Sequence, residues 1–444
     1  MKLGPGVALA LCALPAAARA HQEPNVPRPF TSPPDRRVEL DFQHYYTAEE
    51  LGLRLRQLAD AYPEFLTLES IGKSRAGQDL WVVSASGGGG PDASERPGVF
   101  IAGGLGPDDL QGAEMALSTL FELLGNHARD ESIARLLGQC VFYVAPCLNP
   151  DLRGAAFAAL EAGAEIDREG ERVDLGRNFP IGWSLATRAR DSGPYPLSEP
   201  ETRAVTEFLL AHPNVCVVQT YGPAPPMPGD APSEKGGDAA LYAGLCSQAS
   251  SSDSQALYPV GAFADRCGGL LEFASRQLGA FAFLVDAEGF ESSDGADIPR
   301  VSELALLGQR AARTTLSLSQ ALPRLSIGAP TLERLRDNQW QVDFLVANRG
   351  RMPTLSAIGI EHHAATPPEL NIQGAAIVAA MSQAPGAAVF RALPHADDGI
   401  ELMHLAGYAE MHVRLVVEAD SGSTLAVDLS SVRAGHDWLQ VPLE

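Results

Sequence analysis

Lysine is nearly missing from this sequence. It occurs only at Lys2, Lys73 and Lys235, so almost all of the positive charge is arginine, a bias read as one of coding rather than of function. Positive charge is short altogether: Lys+Arg 33 against Asp+Glu 55 leaves a formal charge of −22. A surface of that sign repels phosphate backbones and anionic lipid, which argues against nucleic acid or a membrane surface as partner. No apolar run is long enough to span a bilayer, and no internal repeat is found. Also missing are a Gly-x-Ser-x-Gly nucleophile turn and a cysteine with a plausible histidine partner. The run Gly87 to Gly90 follows a strand pattern but lacks the Lys-Ser/Thr ending of a phosphate loop.

What is there is globular. At 45% hydrophobic and 20% charged, the chain is neither disordered nor fibrous. Its 444 residues leave room for one large domain and a smaller one. Residues 1–20 carry Lys2, an apolar run from Val7 to Leu14, then Ala18-Arg19-Ala20. That is the pattern of a secretory signal peptide cleaved after Ala20, and it implies a secreted, periplasmic or cell-envelope location. The mature chain keeps Cys140, Cys147, Cys216, Cys246 and Cys267. The first three lie at or in apolar stretches and read as buried thiols, whereas Cys246 and Cys267 lie in irregular segments where a disulfide is compatible with the sequence.

After a Pro-rich lead (21–39), Thr47-Ala48-Glu49-Glu50 is a capping box, and Leu51, Leu55, Leu58 and Tyr62 follow at helical spacing. Strand patterns at 65–71, 80–85, 99–102, 141–145, 215–220 and 280–285 alternate with helical patterns at 110–124, 198–210 and 301–322. Several of these strands are continuously apolar, as strands covered on both faces are. The expected fold over 40–325 is an α/β sheet with helices on both faces. The Gly-, Ala-, Ser- and Pro-rich stretches 153–172 and 223–258 are expected as surface loops. From Trp340 the apolar residues alternate (Trp340, Val342, Phe344, Val346; Met411, Val413, Leu415, Val417), which predicts a smaller all-β sandwich over 331–444. Six histidines fall there and read as scattered surface side chains.

Several segments, in order, resemble the zinc carboxypeptidase family, peptidase M14. They are Ala61-Tyr62-Pro63 with Ile71 to Gly77, then Asn149-Pro150-Asp151, Val173 to Pro180, and Gly193-Pro194-Tyr195-Pro196-Leu197-Ser198-Glu199-Pro200-Glu201-Thr202. The resemblance spans roughly residues 40 to 322 and implies the family's mixed-sheet α/β fold. It also implies a chemistry built on Zn²⁺ held by two His and a Glu, with an open position for water and a separate Glu to take the proton.

The residues at those positions depart from the pattern. Gly112-Ala113-Glu114 matches the family's Gly-Arg-Glu, and in that register Gly106 stands where the first His belongs and Asp109 where the Glu belongs. Gln219-Thr220-Tyr221-Gly222 keeps the neighbours of the third ligand but replaces the His by an amide, a weak zinc donor. Asp286 falls on the family's catalytic Glu, as a relic of the general base. Arg177 matches the Arg that grips a substrate's terminal carboxylate, with Asp174 and Asp286 as rival internal partners. Tyr221 and Leu271 fall at substrate-binding positions, Leu271 at the floor of the specificity pocket. Ala264 replaces the flexible Tyr, and Arg168 is the nearest candidate for the transition-state Arg. Asp109 reads first as a loop carboxylate capping the following helix, ahead of a metal-linked role.

The resemblance thus implies a non-catalytic homologue with no resident metal, binding peptide or protein C-termini. Two other readings stay open. One is an active metallocarboxypeptidase using an oxygen-rich site of Asp108, Asp109 and Asp286, of the kind Ca²⁺ or Mg²⁺ prefers. The other is a cell-envelope binding or adhesion module centred on the β domain. The sequence carries no signal of oligomeric state.

Overall fold

A computed structural model describes residues 34–88, 91–106, 110–164, 173–183, 192–222, 237–249, 254–259, 269–287, 299–395 and 399–444. The expected signal peptide lies outside the described residues.

In chain order the elements of the first half are α1 (Ala48–Ala61), β1 (Leu66–Lys73), β2 (Asp79–Ala85), β3 (Gly98–Ala102), α2 (Leu110–Asn126), α3 (Glu131–Gln139), β4 (Val141–Ala145), α4 (Pro150–Glu161), α5 (Pro200–Ala211), β5 (Val215–Gly222), α6 (Ala239–Ala249), β6 (Leu257–Pro259), α7 (Leu270–Arg276), β7 (Phe281–Asp286) and α8 (Val301–Ser319). The capping box forms as the sequence predicts: Glu50 N–H donates to Thr47 Oγ1 and Thr47 N–H to the Glu50 carboxylate. The seven strands make one sheet in the order β1-β2-β4-β3-β5-β7-β6. The pairs β4–β3, β3–β5 and β5–β7 are parallel and the others antiparallel, so the sheet is mixed.

The continuous apolar runs are explained by burial on both faces. Val99, Ile101, Val217, Phe281, Phe283 and Val285 pack under α1, α2, α3, α6 and α8, while Phe100, Ala102, Val218 and Ala282 pack against α5 and α7. Helices α2 and α8 touch at a small-residue contact. A methyl group on Gly308 would lie 2.5 Å from the Ser118 side chain, so the helices close to that distance only because Gly308 has none.

Two stretches expected as surface loops are partly helical. Helix α4 continues through 153 to Glu161, started by Asn149, whose side chain accepts from Leu152 N–H, and by Pro150 in the first turn; that is an N-cap followed by an N-terminal proline. Helix α6 and the start of strand β6 fall inside 223–258. Alanine and leucine dominate α6, and their helix propensity outweighs the Gly, Ser and Pro around it.

The second half contains β8 (Leu325–Ile327), β9 (Thr331–Arg336), β10 (Gln339–Asn348), α9 (Ala357–Glu361), β11 (Glu369–Gln373), β12 (Ala376–Gln383), β13 (Arg391–Ala392), β14 (Gly399–Glu401), β15 (Glu410–Glu418), β16 (Thr424–Ser431) and β17 (Gly435–Pro442). They form two antiparallel sheets, β13-β12-β15-β10-β8 with β9 also on β10, and β14-β11-β16-β17. Trp340, Val342, Phe344, Met411, Val413 and Leu415 from one sheet and Leu370, Ile372, Leu425 and Val427 from the other fill the core between them, as in a β-sandwich. Its first strand, β8, starts at Leu325, ahead of the alternating pattern that marks the domain in the sequence.

The sandwich docks on the amino ends of the parallel strands. Arg433, 5% exposed, donates to the carbonyls of Pro213 at 2.9 Å, Leu278 at 2.5 Å and Gly279 at 3.1 Å, just ahead of β5 and β7. Ser356 Oγ donates to Gly279 O at 2.8 Å. Gly279 has φ +63, and a Cβ on it would lie 2.6 Å from Gly359 Cα. No helix among the described residues is long and apolar enough to cross a membrane.

Candidate functional site

Open α/β sheets collect ligands at the carboxyl ends of their parallel strands. Here β3, β5 and β7 end at Ala102, Gly222 and Asp286, with Ala102 opposite Thr220 and Gly222 opposite Asp286. Two hydrogen bonds fasten this corner. Ala287 N–H donates to Gly222 O at 2.9 Å, and Gln111 Nε2, in the first turn of α2, donates to Ala287 O at 2.9 Å. Asp286 is half-buried there. Its N–H donates to Ala256 O at 2.9 Å, and its carbonyl accepts from Gln255 Nε2 at 2.9 Å.

The loop after β3 is stitched to the connection between β4 and α4. Gly103 N–H donates to Ala145 O, Leu148 N–H to Gly103 O and Asn149 N–H to Gly104 O. A Cβ on Gly103 would lie 2.6 Å from the carbonyls of Gly112 and Pro146, and Gly104 has φ +58, so this turn requires both glycines. Gly106 differs: nothing lies within 4 Å of where its Cβ would be. It offers a metal no donor. Asp108 and Asp109 lie outside the described residues, as do Arg168, Ala264 and Cys267.

Gln219 is 0% exposed. Its Nε2 donates to Thr315 Oγ1 on α8 at 2.8 Å and to Tyr221 Oη at 3.3 Å, and its Oε1 has no hydrogen-bond partner among the described residues. The side chain is committed to the core beneath α8. Tyr221 is 4% exposed and belongs to the same core. It shares the strand face of Val217 and Gln219, and its hydroxyl accepts from the Gln219 amide. Leu271, on α7, is partly buried against the cluster around Phe273.

Arg177 ends a one-turn 3₁₀ helix (Leu175–Arg177) started by Asp174, whose Oδ1 accepts from Gly176 N–H at 2.8 Å. Its Nε lies 3.3 Å from Asp174 Oδ2, and its side chain is 33% exposed. The next residue, Asn178, is wholly buried and joins two of the sequence motifs. Its amide nitrogen donates to Ser192 O, Tyr195 O and Ser198 Oγ, and its oxygen accepts from Thr202 Oγ1 at 2.7 Å. The segment around Arg177 is thus held by 192–202.

Zinc chemistry in this fold draws on three donors. Gly106 supplies none, and Gln219 supplies a neutral amide turned into the core. Among the described residues no three His, Cys, Asp or Glu side chains gather into a metal-holding group. On donor chemistry, the residues described do not fit zinc. Cys246 is a free thiol on α6, pushed up to about 11 by burial.

One pair beside the site is not visible in the sequence pattern. Glu114, 0% exposed, forms an ion pair with Arg153, 2% exposed, and accepts from Tyr46 N–H at 2.9 Å. Arg153 also donates to Tyr46 O and to Leu110 O, each at 2.7 Å. Burial raises the Glu114 carboxyl above its ordinary range. Leu110 is the first residue of α2, so this pair pins the exit of the loop that carries Gly106. Glu199 and Glu201 likewise hold the scaffold: Glu199 pairs with Arg75, whose N–H donates to Glu201 at 2.8 Å.

Comparison with known proteins agrees with this geometry. A family profile described as zinc carboxypeptidase matches residues 54–222. Over these residues the chain is similar to the zinc carboxypeptidase family. Carboxypeptidase D of Anas platyrhynchos is 27% identical over 190 residues, covering 41% of this chain and 12% of that protein. Carboxypeptidase B of Astacus astacus is 28% identical over 198 residues, 41% of this chain and 62% of that protein. The chain therefore spans only a small part of the first of these relatives and less than two thirds of the second. In three dimensions the carboxypeptidase A of Helicoverpa armigera aligns with a TM-score of 0.52 at 19% identity, over 64% of this chain and 76% of that one, a likeness of fold. A second profile, described as a domain of unknown function, matches 324–442, the extent of the sandwich next to the carboxypeptidase-like domain.

Proposed function

We propose that the chain is an exported, non-catalytic carboxypeptidase homologue whose α/β domain binds peptide C-termini through Arg177 without cutting them. The observation that carries this reading is Gln219: at the third ligand position the side chain is an amide, buried and hydrogen-bonded to Thr315 and Tyr221. With Gly106 it leaves too few donors to bind zinc tightly or to lower the pKa of a bound water. Arg177 keeps a guanidinium of the kind that recognises carboxylates by paired hydrogen bonds. Because Asp174 already engages it, the affinity is expected to be modest.

The test uses the full chain incubated with zinc and freed of excess, then offered a peptide with a free C-terminus. No stoichiometric zinc, no released amino acid, and peptide binding about tenfold weaker in Arg177→Ala, the loss of one charge-assisted contact, are expected. Stoichiometric zinc with turnover would overturn the non-catalytic reading, and equal affinity of the two forms would remove Arg177 from it. Export is read separately: protein recovered from its source is expected to begin at His21, and a chain still beginning at Met1 contradicts it.

A further inference from the structure

A cluster of arginines lies away from the carboxypeptidase-like site. Between the two domains, at the amino ends of the parallel strands, is a cleft of about 670 Å³. Four arginines line it: Arg96 and Arg135 from the α/β domain, Arg324 from the connection, and Arg349 from the sandwich. The carboxylates in its lining are Glu95 and Asp437. Glu95 is exposed, and both oxygens of Asp437 accept backbone N–H groups, from Ile327 at 2.8 Å and Trp438 at 2.9 Å. In a chain with a formal charge of −22, this is a locally positive recess.

Arg96 decides the reading. It is 5% exposed, and its guanidinium donates only to the carbonyls of Pro91 at 2.8 Å, Gly87 at 2.7 Å and Leu137 at 3.1 Å. Among the described residues no carboxylate hydrogen-bonds it or lies within ion-pair distance, and the exposed Asp92 acts on it only at longer range. A buried guanidinium with no carboxylate in direct contact keeps much of its desolvation cost, and an anion entering the cleft would offset that cost. Arg324 is exposed at the mouth and hydrogen-bonds the neutral Gln139 Oε1 at 3.0 Å. Arg349 donates to Ser326 Oγ at 3.1 Å and shares its charge with Glu410 at 2.6 Å, and Arg135 lies 3.8 Å from Glu131.

We propose that this cleft binds a small molecule bearing two or more anionic groups, carboxylate or phosphate, gripped by Arg96 from one domain and by Arg324 and Arg349 from the connection and the other. Planar guanidinium groups suit either oxyanion. Because its walls come from both domains, an occupied cleft would also tie the sandwich to the α/β domain.

The test is calorimetric titration of the full chain with inorganic pyrophosphate and, separately, with citrate, at about 20 mM salt, where screening is weak. Saturable one-to-one binding of at least one is expected, and the stronger ligand tells phosphate from carboxylate. Arg324→Ala should bind about tenfold more weakly, and Arg324→Lys, which keeps the charge but not the planar fork, should fall between it and the wild type. Arg324 is exposed, so both variants are expected to melt with the wild type when no ligand is present. Arg177→Ala should bind as the wild type does, which separates this cleft from the carboxypeptidase-like site. Binding of neither anion, full affinity in Arg324→Ala, or loss in Arg177→Ala would overturn the proposal.

Discussion

Arg153→Met is expected to lower the stability of the α/β domain by about 3–5 kcal/mol, the range for removing one partner of a buried ion pair. The replacement leaves Glu114 charged at 0% exposure, and the carbonyls of Tyr46 and Leu110 lose their donor. Equilibrium unfolding in urea reads the loss, and a deficit below about 1 kcal/mol would show that the pair does not hold the start of α2. The double change Glu114→Gln with Arg153→Met is expected to be less destabilising than the sum of the single changes, since no unpaired charge remains. The deficit should also depend on pH. Burial already places the folded Glu114 carboxyl above its unfolded value, and without Arg153 it rises further. Stability associated with a raised carboxyl is present below the unfolded value, about 4.3, and is lost as pH climbs through the folded one. Arg153→Met should therefore be nearest to wild type in acid and furthest from it at neutral pH.

Arg433→Met should separate the two domains thermally. Three carbonyls, of Pro213, Leu278 and Gly279, lose a charged donor at a buried seam, and each unsatisfied acceptor costs about 1–3 kcal/mol. Against this stands the cost of burying a guanidinium that has no carboxylate partner among the described residues, and that burial depresses the Arg433 pKa. The net loss is expected at about 2–4 kcal/mol. In calorimetry it should split one unfolding transition into two, the sandwich and the α/β domain melting apart. A single transition at the wild-type temperature would mean that Ser356 and the packing of Gly279 on Gly359 suffice.

Much of this architecture can be read from residue order because its rules are local. The capping box at Thr47 and Glu50 is satisfied within four residues, and the period-two pattern around Trp340 and Met411 follows from the pleat. Helix α4 also carried a local signal, Asn149 before Pro150, but the glycines and alanines after it read as a loop. Helix α6 is apolar around most of its circumference and lacks the stripe that marks a surface helix. Strand β8 is too short to show a period. The motifs around Arg177 and Gly193 to Thr202 were legible as a resemblance, whereas the reason they occur together, the hydrogen bonds of Asn178, links residues as much as 24 apart. Composition could not show that Gln219 turns under α8 toward Thr315, 96 residues later, nor that Glu114 meets Arg153.

The docking of the sandwich on the amino ends of the strands has a consequence for how the molecule is used. Strand β5 runs eight residues from Val215, beside Arg433, to Gly222 at the opposite rim, a span of roughly 23 Å at the usual rise. The sandwich therefore cannot act as a plug for the carboxypeptidase-like cleft. Occupancy at one pole would leave the other sterically accessible.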